Sequence, residues 1–592
     1  MNIEEKVKWM QQMFNEVESC SSEDELSNIE ETPLVLSEDD DFVEEDIHIF
    51  GYDCNESENQ NESDPVQAKR SKLECQRGKD GQTFWYNDDD RSFKIRYLSS
   101  NILHFIPGLK GPSLNAKSSC DLWDVFFTPD IIDLIVKHTN SLIAEDRSEC
   151  IKSPRTNTDA KEIKAVIGLL LLTGTYHSYR LHLNDIWKSD GSGIEIFKLT
   201  MPLDRFRFLL SCLRFGEKEC QNEQKKHDKL APIRQVFEKF VDNCKNNYIP
   251  TEHMTIDEML VPFRGSCSFR QYVPSKPARY GVKVHALCDS KTFYVYNMEI
   301  YAGLQPEGPV EADMEFNSSK AVVLRLISDI SGSGRNITFN DYWYTSILLV
   351  KELLENHNIT SVGTLRNNQK EIPPEFLNVK NKQNFGSMFG FNGKLTLVPF
   401  IQNCKNKKKH VILVSSMHHE SNSDLDTDVI KKTEIISFYN STKVGVDIVD
   451  QMVSNYSSSR SSRRWPLTIF FSLINIASVN SYVLYLHKNE KKLKRRLFIK
   501  EVAYELIKDN LLKRLHNVHV PTKIRKRISE ILNVDIPSSS PENLTIVSLK
   551  RCTLCGRSKD RKVKTRCNSC YDYVCSEHSQ TTLKCNICKD IS

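Results

Sequence analysis

The sequence lacks the features of a secreted or membrane protein. Its first ten residues, MNIEEKVKWM, contain no basic region followed by an apolar run and a small-residue cleavage site, so we expect no secretory signal. Residues 165–173 and 469–486 are the most apolar stretches, but the first is too short for a membrane span and the second carries two asparagines and three serines. We therefore predict that both are buried core helices of a soluble, intracellular protein with no membrane partner.

The chain also has almost no net charge, +2 from 80 Lys and Arg against 78 Asp and Glu. This balance hides an asymmetry, because residues 1–66 hold 21 acidic and two basic residues, which leaves the remainder of the chain at about +21. Such a pattern is typical of an acidic tail on a nucleic-acid-binding body. We expect residues 1–118 to be mostly disordered. The basic cluster AKRSK at 68–72 could be a nuclear import signal or simply a solvated charge run.

No fixed-period repeat occurs, and the pattern instead changes along the chain. Apolar residues recur every three or four positions between about residues 119 and 250, which predicts helices. From about residue 251 the period is two, which predicts strands at 253–263, 281–289, 292–301 and 336–340, with helices at 319–329 and 344–357. Residues 367–432 interrupt this mixed α/β core with two more predicted strands, at 394–401 and 410–416. The helical pattern of apolar residues resumes near residue 443.

Cysteine is scattered without a pairing rhythm until the end of the chain, where eight soft ligands form four pairs. The spacing of two residues within each pair suits tetrahedral zinc, so we predict two structural Zn²⁺ sites. An interleaved cross-brace is favoured, with the first and third pairs sharing one ion, although a sequential arrangement stays open. The four pairs are Cys552/Cys555, Cys567/Cys570, Cys575/His578 and Cys585/Cys588.

Four aspartates are candidates for an active site. Asp257 lies in a predicted strand with apolar neighbours, and Asp341 directly follows another strand. Asp447 and Asp450 are three residues apart, which places them on one helix face. Carboxylates in such positions can hold two Mg²⁺ ions, about 3.5–4 Å apart, that catalyse phosphoryl transfer. Taken singly, most strand-end aspartates merely cap or turn the chain.

Six segments resemble, in the same order, the piggyBac family of DNA transposases. They read TIDEMLVPFRG, SFRQYVPSKPARYGVKVHALCD, NITFNDYWYTS, SVGTLRNNQKEIP, FYNSTKVGVDIVDQM and RRWPLTIFFSLINIASVNSY. The terminal pattern of five cysteines, a histidine and two cysteines is similar to the zinc-binding end of that family. The resemblance covers about residues 120–592 and leaves out the acidic segment.

The resemblance implies a multidomain α/β and α fold. An RNase H-like catalytic core of the DDE/D type, at 251–366 and 433–457, would be interrupted by an insertion domain at 367–432. Helical segments at 119–250 and 458–535 would serve dimerisation and DNA binding, and a linker at 536–550 would precede a zinc-binding domain at 551–592. By motif match, Asp257, Asp341 and Asp447 would be the catalytic Mg²⁺ ligands, with Asp450 a further catalytic aspartate. Glu258 is left out because adjacent residues of a strand face opposite ways.

The activity that the resemblance implies is cut-and-paste transposition in the nucleus. A homodimer would bind double-stranded DNA at the transposon ends, cleave it by Mg²⁺-dependent hydrolysis (with Mn²⁺ as a substitute), form hairpins, and join the 3′-hydroxyls to TTAA targets with seamless excision. No small-molecule substrate is expected. Two alternatives remain: a domesticated DNA-binding protein without cleavage, and a zinc-module protein of chromatin or ubiquitin pathways.

Basic residues in three places are candidates for DNA contact, each with a solvated face or turn as the alternative. They are Arg460, Arg463, Arg464 and Trp465 after the predicted catalytic helix; Lys492, Lys494, Arg495 and Arg496 in the helix-like stretch KNEKKLKRR; and Arg557, Lys559, Arg561, Lys562, Lys564 and Arg566 in the zinc-binding end.

Overall fold

The computed structural model describes residues 75–87, 103, 106–149, 156–216, 228–274, 276–303, 316–377, 388–404, 407–418, 434–489, 492–536, 550–555, 561–565 and 573–579. The strands in these ranges are β1 Cys75–Arg77, β2 Phe84–Tyr86, β3 Gly108–Leu109, β4 Tyr248–Ile249, β5 His253–Pro262, β6 Arg270–Tyr272, β7 Tyr280–Asp289, β8 Val295–Ile300, β9 Asn336–Phe339, β10 Thr360–Leu365, β11 Gly390–Asn392, β12 Leu395–Cys404, β13 Lys407–Ser415, β14 Lys550–Arg551 and β15 Lys562–Val563.

Helices lie on both sides of the central strands in sequence, and three of them occur between β8 and β11. They are α1 Ser119–Asp124, α2 Pro129–Glu149, α3 Ala160–Thr175, α4 Leu183–Ile186, α5 Glu195–Thr200, α6 Leu203–Cys212, α7 Arg234–Asn247, α8 Ser319–Ile327, α9 Ile347–His357, α10 Pro374–Leu377, α11 Glu434–Thr442, α12 Gly445–Asn455, α13 Trp465–Lys488, α14 Arg495–His516 and α15 Thr522–Leu532.

Five strands form the centre of the main sheet, in the order β8, β7, β5, β9 and β10. β5 pairs antiparallel with β7 and parallel with β9, and β9 in turn pairs parallel with β10. The predicted strands near 253, 281, 292 and 336 are confirmed. β10 was not predicted as a strand, because all six of its residues are buried and such a run has no alternation to detect.

The strands of the predicted insertion extend this same sheet. β13 pairs antiparallel with β10, β12 with β13, and β11 with β12. The two strands predicted at 394–401 and 410–416 are confirmed, and both are longer than expected. The backbone hydrogen bonds of β10 therefore connect the strands of the predicted insertion to β9 and β5 through one continuous sheet.

A hairpin from the amino-terminal region completes the far edge of the sheet. β1 pairs with β2, and β2 pairs with β11 through Tyr86 and Phe391. Trp85 is fully buried, and its Nε1 donates to the Glu371 carbonyl at 2.9 Å. Within residues 1–118, which we expected to be mostly disordered, the structure describes this hairpin and residues 106–118, and burial of Trp85 anchors the hairpin. Residues 1–74, 88–102 and 104–105 lie outside the described residues.

Helix α13 forms the centre of the helical part. It is long and apolar enough to cross a membrane, but its most apolar window is entirely buried inside the protein. A helix that is apolar on all sides is typical of a core position, and the predictions of core helices at 469–486 and 165–173 are confirmed by α13 and α3. The helix-like stretch KNEKKLKRR spans the end of one helix and the start of the next: α13 ends at Lys488, residues 492–494 are not helical, and α14 begins at Arg495.

Candidate active site

Asp257 lies in the middle of the sheet on β5. Its neighbours are β7 on one side, where Ala286 is its register partner, and β9 on the other side, which ends at Phe339. The residue is 3% exposed. The last residue of β9, Phe339, pairs with Ile256 on the adjacent strand β5. Asn340 and Asp341 therefore leave the sheet beside Asp257.

Aromatic packing holds the segment that carries Asp341. Trp343 stacks on His285 of β7 with ring centroids 5.3 Å apart, and Tyr344 Oη lies 2.5 Å from His285 Nδ1. Burial lowers the pKa of His285 to about 3, so the imidazole is neutral. The Asp341 carboxylate accepts a hydrogen bond from the Trp343 backbone N–H at 3.2 Å. Burial also raises the pKa of Asp341 above its ordinary value.

Helix α12 brings Asp447 and Asp450 against β5. It can approach closely because its first residue is Gly445: a Cβ at that position would lie 2.5 Å from Thr255 Oγ1. Thr255 in turn donates to the Thr442 carbonyl at 2.6 Å, which fixes the turn that precedes α12. The two aspartates are thus positioned by helix-on-strand contact rather than by a loop.

Asn340 links the strand and the helix. Its Nδ2 donates to Asp257 Oδ2 at 2.7 Å and to Asp447 Oδ2 at 3.1 Å. The Asn340 carbonyl accepts from Tyr439 Oη at 3.1 Å, so α11 also holds this residue. One amide therefore ties two of the sequence-predicted carboxylates together.

The charges of the carboxylates and of Lys276 act on one another. Burial raises the pKa of Asp257 to about 7, the positive charge of Lys276 opposes the rise, and the charge of Asp447 adds to it. The pKa of Asp450 is also raised to about 7, again with burial as the main cause and Lys276 in opposition. Repulsion from Asp257, Asp341 and Asp447 adds to the burial that raises the pKa of Tyr439.

The aspartates are close but do not form a closed cluster. Across the described part of the chain, the one group of three or more Cys, His, Asp or Glu ligand atoms that all lie within 4.8 Å of one another contains no aspartate. The carboxylates carry like charges and repel one another. Asn340 donates to Asp257 and Asp447, and the Trp343 N–H donates to Asp341. Lys276 pairs with Asp447 and Asp450.

That single ligand group lies near the end of the chain. It consists of Cys552, Cys555, Cys575 and His578, the first and third of the four predicted pairs. Hydrogen bonds from the backbone N–H groups of Cys575 and Leu554 outweigh the effect of desolvation and lower the pKa of the Cys552 thiol to about 6. A thiolate is the form that binds metal. Cys567, Cys570, Cys585 and Cys588 lie outside the described residues.

Three of the arginines predicted to contact DNA are engaged within the protein. Arg460 donates to the carbonyls of Ser178, Tyr179 and Leu181. Arg464 donates to carbonyls at the end of α6, and Arg495 is 2% exposed. Arg460 and Arg464 are half-buried with donors engaged by carbonyls, and Arg495 is buried over the Tyr456 ring, so these three guanidinium groups serve packing in this structure.

Other DNA-contact candidates lie on the surface or are half-buried. Trp465 packs edge-on against Phe269 with ring centroids 5.0 Å apart, which is the core-anchor alternative. Arg561 pairs with Glu577. Lys492 is half-buried, and the exposed candidates are Arg463, Lys494, Arg496, Lys562 and Lys564. Arg557, Lys559 and Arg566 lie outside the described residues.

Sequence reasoning missed three polar residues of this site. Asn340 precedes Asp341 in the segment NITFND, Lys276 lies in PSKPARYG, and Lys443 opens the turn before α12. Burial lowers the pKa of Lys443 to about 8, against the charges of Asp447 and Asp257. A lysine between two prolines and an asparagine beside a strand-end aspartate are weak signals, because only the tertiary structure brings them to the carboxylates.

Comparison with known proteins matches this architecture to transposases. The family model described as Transposase IS4 matches residues 118–482, more than half of the chain. Two human proteins are similar: PiggyBac transposable element-derived protein 3 is 23% identical over 493 residues, which are 80% of this chain and 74% of that protein. PiggyBac transposable element-derived protein 2 is 22% identical over 447 residues, which are 73% of this chain and 71% of that protein.

A solved structure has the same fold over most of its length. It is the cryo-EM structure of a piggyBac transposase synaptic complex with hairpin DNA, and it superposes with a TM-score of 0.70. The sequences are 33% identical, and the match covers 80% of this chain and 98% of that one. The family-model match and this structural match lead to one conclusion: the chain belongs to the piggyBac family of transposases.

Proposed function

We propose that this protein is a cut-and-paste DNA transposase with Asp257, Asp341, Asp447 and Asp450 as its catalytic carboxylates. One observation carries the proposal: Asn340 joins Asp257 of β5 to Asp447 of α12, directly beside Asp341. Three separate segments of the chain contribute to this one polar region. Groups from separate segments converge in this way where a reaction needs several charges at one point.

The catalytic core is of the RNase H-like type. The order β8, β7, β5, β9 and β10, with the last two strands parallel to β5, supports this assignment. Of these five strands, β5 comes first along the chain and carries Asp257. β9 comes fourth along the chain, and Asp341 lies just after it. The DDE/D arrangement thus places one acid inside a central strand, one at the end of its parallel neighbour and one on the following helix.

The residues present suit divalent cations. Asp257 and Asp450 are carboxylates whose pKa burial raises to about 7, and hard oxygen ligands of this kind are the usual partners of Mg²⁺ and Mn²⁺. Asp257, Asp341 and Asp447 would hold two Mg²⁺ ions, for which Mn²⁺ could substitute. Such ions stabilise the attacking and leaving oxygens of phosphoryl transfer. The chain itself orients the carboxylates, through Asn340 and the close contact of Gly445 with β5.

The substrate is double-stranded DNA. The exposed cations Arg463, Lys494, Arg496, Lys562 and Lys564 would contact phosphates, because each contact releases bound counter-ions. Binding of terminal inverted repeats, hairpin intermediates, TTAA targets, seamless excision, a homodimer and a nuclear location are parts of the same proposal. They extend to this chain the activity that its family membership implies.

Zinc at the carboxyl-terminal cluster is a separate part of the proposal. The ligand atoms of Cys552, Cys555, Cys575 and His578 lie within 4.8 Å of one another, and three cysteines with one histidine form a common structural zinc set. Cys575→Ser should lower the zinc content by about one ion per chain, measured by elemental analysis. Cys120→Ser is the control, at a half-buried cysteine that lies far from this cluster in sequence. An unchanged zinc content in Cys575→Ser would refute this ligand set.

Plasmid excision tests the transposase activity itself. The donor plasmid carries the element with its own terminal repeats, and wild type is compared with Asp257→Ala. We expect seamless excision by wild type and a loss of at least about 10³-fold in the variant, because the metal-binding group is removed. Absence of excision by wild type would instead favour a DNA-binding protein without cleavage, an alternative that the names of the two human relatives, "transposable element-derived", bring forward.

A further inference from the structure

The loop between β6 and β7 carries a lysine that the proposed chemistry does not use. Lys276 Nζ lies 3.2 Å from Asp447 Oδ1 and 3.9 Å from Asp450 Oδ2. The lysine side chain is only 17% exposed. A cation from a distant part of the chain therefore lies directly against two carboxylates of α12.

The backbone of this loop is tied, so the position of Lys276 is defined. The Val273 N–H donates to the Arg279 carbonyl at 2.7 Å, and the Arg279 N–H donates to the Lys276 carbonyl at 3.0 Å. The Lys276 N–H donates back to Val273 at 3.2 Å. Pro277 follows directly and restricts the backbone further. Lys276 thus points at α12 from a closed loop.

The surroundings of the ammonium are acidic on several sides. Burial alone would lower the pKa of Lys276, but the charges of Asp257, Asp447, Asp450 and Glu258 outweigh it and raise the pKa above its ordinary value. A lysine ammonium is ordinarily protonated at neutral pH. The positive charge of Lys276 balances part of the negative charge that the carboxylates concentrate between β5 and α12.

A divalent cation and this ammonium need the same oxygen atoms. Asp447 Oδ1 is the oxygen nearest to Lys276, and Asp447 is also one of the three carboxylates that the proposed function assigns to Mg²⁺. Two like charges cannot share a carboxylate at a few ångströms without repulsion. Entry of a cation must therefore weaken the contact between Lys276 and Asp447.

We infer that Lys276 is an internal counter-ion, a positioning residue that holds Asp447 and Asp450 in the absence of a divalent cation and competes with that cation for them. The inference rests on the proposed function, since competition requires that these carboxylates bind divalent cations. Its consequence is that the apparent cation affinity of the protein is lower than the carboxylates alone would give. The site stays ordered until the cation arrives.

Thermal unfolding of the full chain across a CaCl₂ series tests this, without chelator so that the cysteine cluster keeps its metal. Lys276→Met should have a lower Tm than wild type without Ca²⁺, because its carboxylates have lost their partner. The difference should close as Ca²⁺ is added. Half-saturation should occur at about three- to tenfold lower Ca²⁺ than in wild type, as expected for removing one nearby charge. Lys276→Gln provides a second neutral variant should the methionine variant not fold.

Two further variants make the result specific. Lys276→Arg keeps the charge and should retain the wild-type half-saturation within about twofold. Lys291→Met removes a lysine that pairs with Glu252 elsewhere in the same domain. This variant should have the same half-saturating Ca²⁺ concentration as wild type. If Ca²⁺ raises the Tm of wild type, and both neutral Lys276 variants have the same half-saturating Ca²⁺ concentration as wild type, this inference is overturned and the proposed function is not. No response in any protein would overturn the metal site on which the proposed function depends, and this inference with it.

Discussion

At the scale of single residues, the candidate active site depends on an asparagine as much as on its acids. Asn340 has both donor positions of its amide available on one nitrogen, and it gives them to Asp257 and Asp447. An aspartate at the same place would add a charge where two already repel each other. Sequence patterns single out the acids, but the neutral donor between them becomes visible only when β5, β9 and α12 are in place.

Asn340→Ala should reduce excision about tenfold or more while the fold is kept. The reason is that Asp257 and Asp447 lose their common donor and a small displacement of a catalytic group is costly. The plasmid excision assay measures this, with the Tm as a check on folding. Asn184→Ala, at an exposed asparagine that accepts from Arg207, is the matched control. Full excision activity in Asn340→Ala would contradict the positioning role.

Asp257→Asn should stabilise the protein at high pH in buffer without added divalent cations. The pKa of Asp257 is about 7 in the folded protein and ordinarily 3.8, so the folded state holds the proton more tightly than the unfolded chain. The loss of folding stability caused by burying the charged Asp257 carboxylate is complete above about pH 7. It declines as the pH falls and disappears near pH 4.

The gain in Tm of Asp257→Asn should therefore be largest at pH 8, smaller at pH 6 and smaller again at pH 5. Asp204→Asn, at a fully exposed carboxylate, is the control and should show no such trend. A gain that grows as the pH falls would contradict the assigned direction of the Asp257 pKa.

At the scale of elements, close contacts between helices and strands decide where the acids point. α12 touches β5 through Gly445 and Thr255, with no room for a further carbon atom. At the far edge of the sheet, Trp85 joins the hairpin β1–β2 to the strands of the insertion. Both contacts join segments that are far apart in sequence.

Gly445→Ala should push α12 away from β5. The added Cβ would meet Thr255 Oγ1 at 2.5 Å, so the helix must shift, and we expect a loss of stability of about 1–3 kcal/mol. Excision should fall more than stability alone explains, because Asp447 and Asp450 move with the helix. Denaturant unfolding and excision are measured together. Ser454→Ala, an exposed position on the same helix, should leave both unchanged.

Trp85→Ala should release the hairpin from the sheet. Removing a fully buried tryptophan from a core typically costs about 3–5 kcal/mol, and here the cost falls on the edge that β11 shares with β2. Hydrogen exchange should accelerate in β1, β2 and β11 and stay slow in β5. Phe84→Ala, next to it but 40% exposed, is the control. Unchanged protection of β11 would show that the hairpin does not support the insertion strands.

At the scale of the whole molecule, the neutral total charge conceals two oppositely charged parts. The segment 1–66 is strongly acidic, and the remainder carries a comparable positive excess. The whole acidic segment lies outside the described residues, so its role is argued from charge alone. A polyanion attached to a DNA-binding body competes with DNA for basic surfaces.

Deletion of residues 1–66 should raise non-specific DNA affinity at low salt, and the gain should shrink as salt is added. Fluorescence anisotropy with a random duplex measures both effects. A variant that keeps the length but carries Asn and Gln in place of the acidic residues of 1–66 should behave like the deletion. Unchanged affinity in both variants would mean that the segment has another role.

Much of the site could be read from sequence because its signals are local. Each of the four aspartates occurs within a few residues of a recognisable strand or helix, and the pairs of cysteines are spaced by one turn. Cys552, Cys555, Cys575 and His578 also come together as the interleaved pairing requires. β14, directly before the first pair, is hydrogen-bonded to β15, which lies between the two pairs in sequence. Short-range patterns of this kind can be recognised without knowledge of the fold.

The sequence alone was enough to predict the family, the core helices α3 and α13, most strands of the central sheet, and the grouping of the first and third cysteine pairs. It also proposed the four aspartates as catalytic residues. Only the tertiary structure decided that the insertion strands and the hairpin at Trp85 extend one sheet, that Arg460, Arg464 and Arg495 bind carbonyls or lie buried, and that Asn340 and Lys276 reach the acids. The physical reason is that each of these depends on partners far away in sequence, and hydrogen bonds, ion pairs and burial act through space.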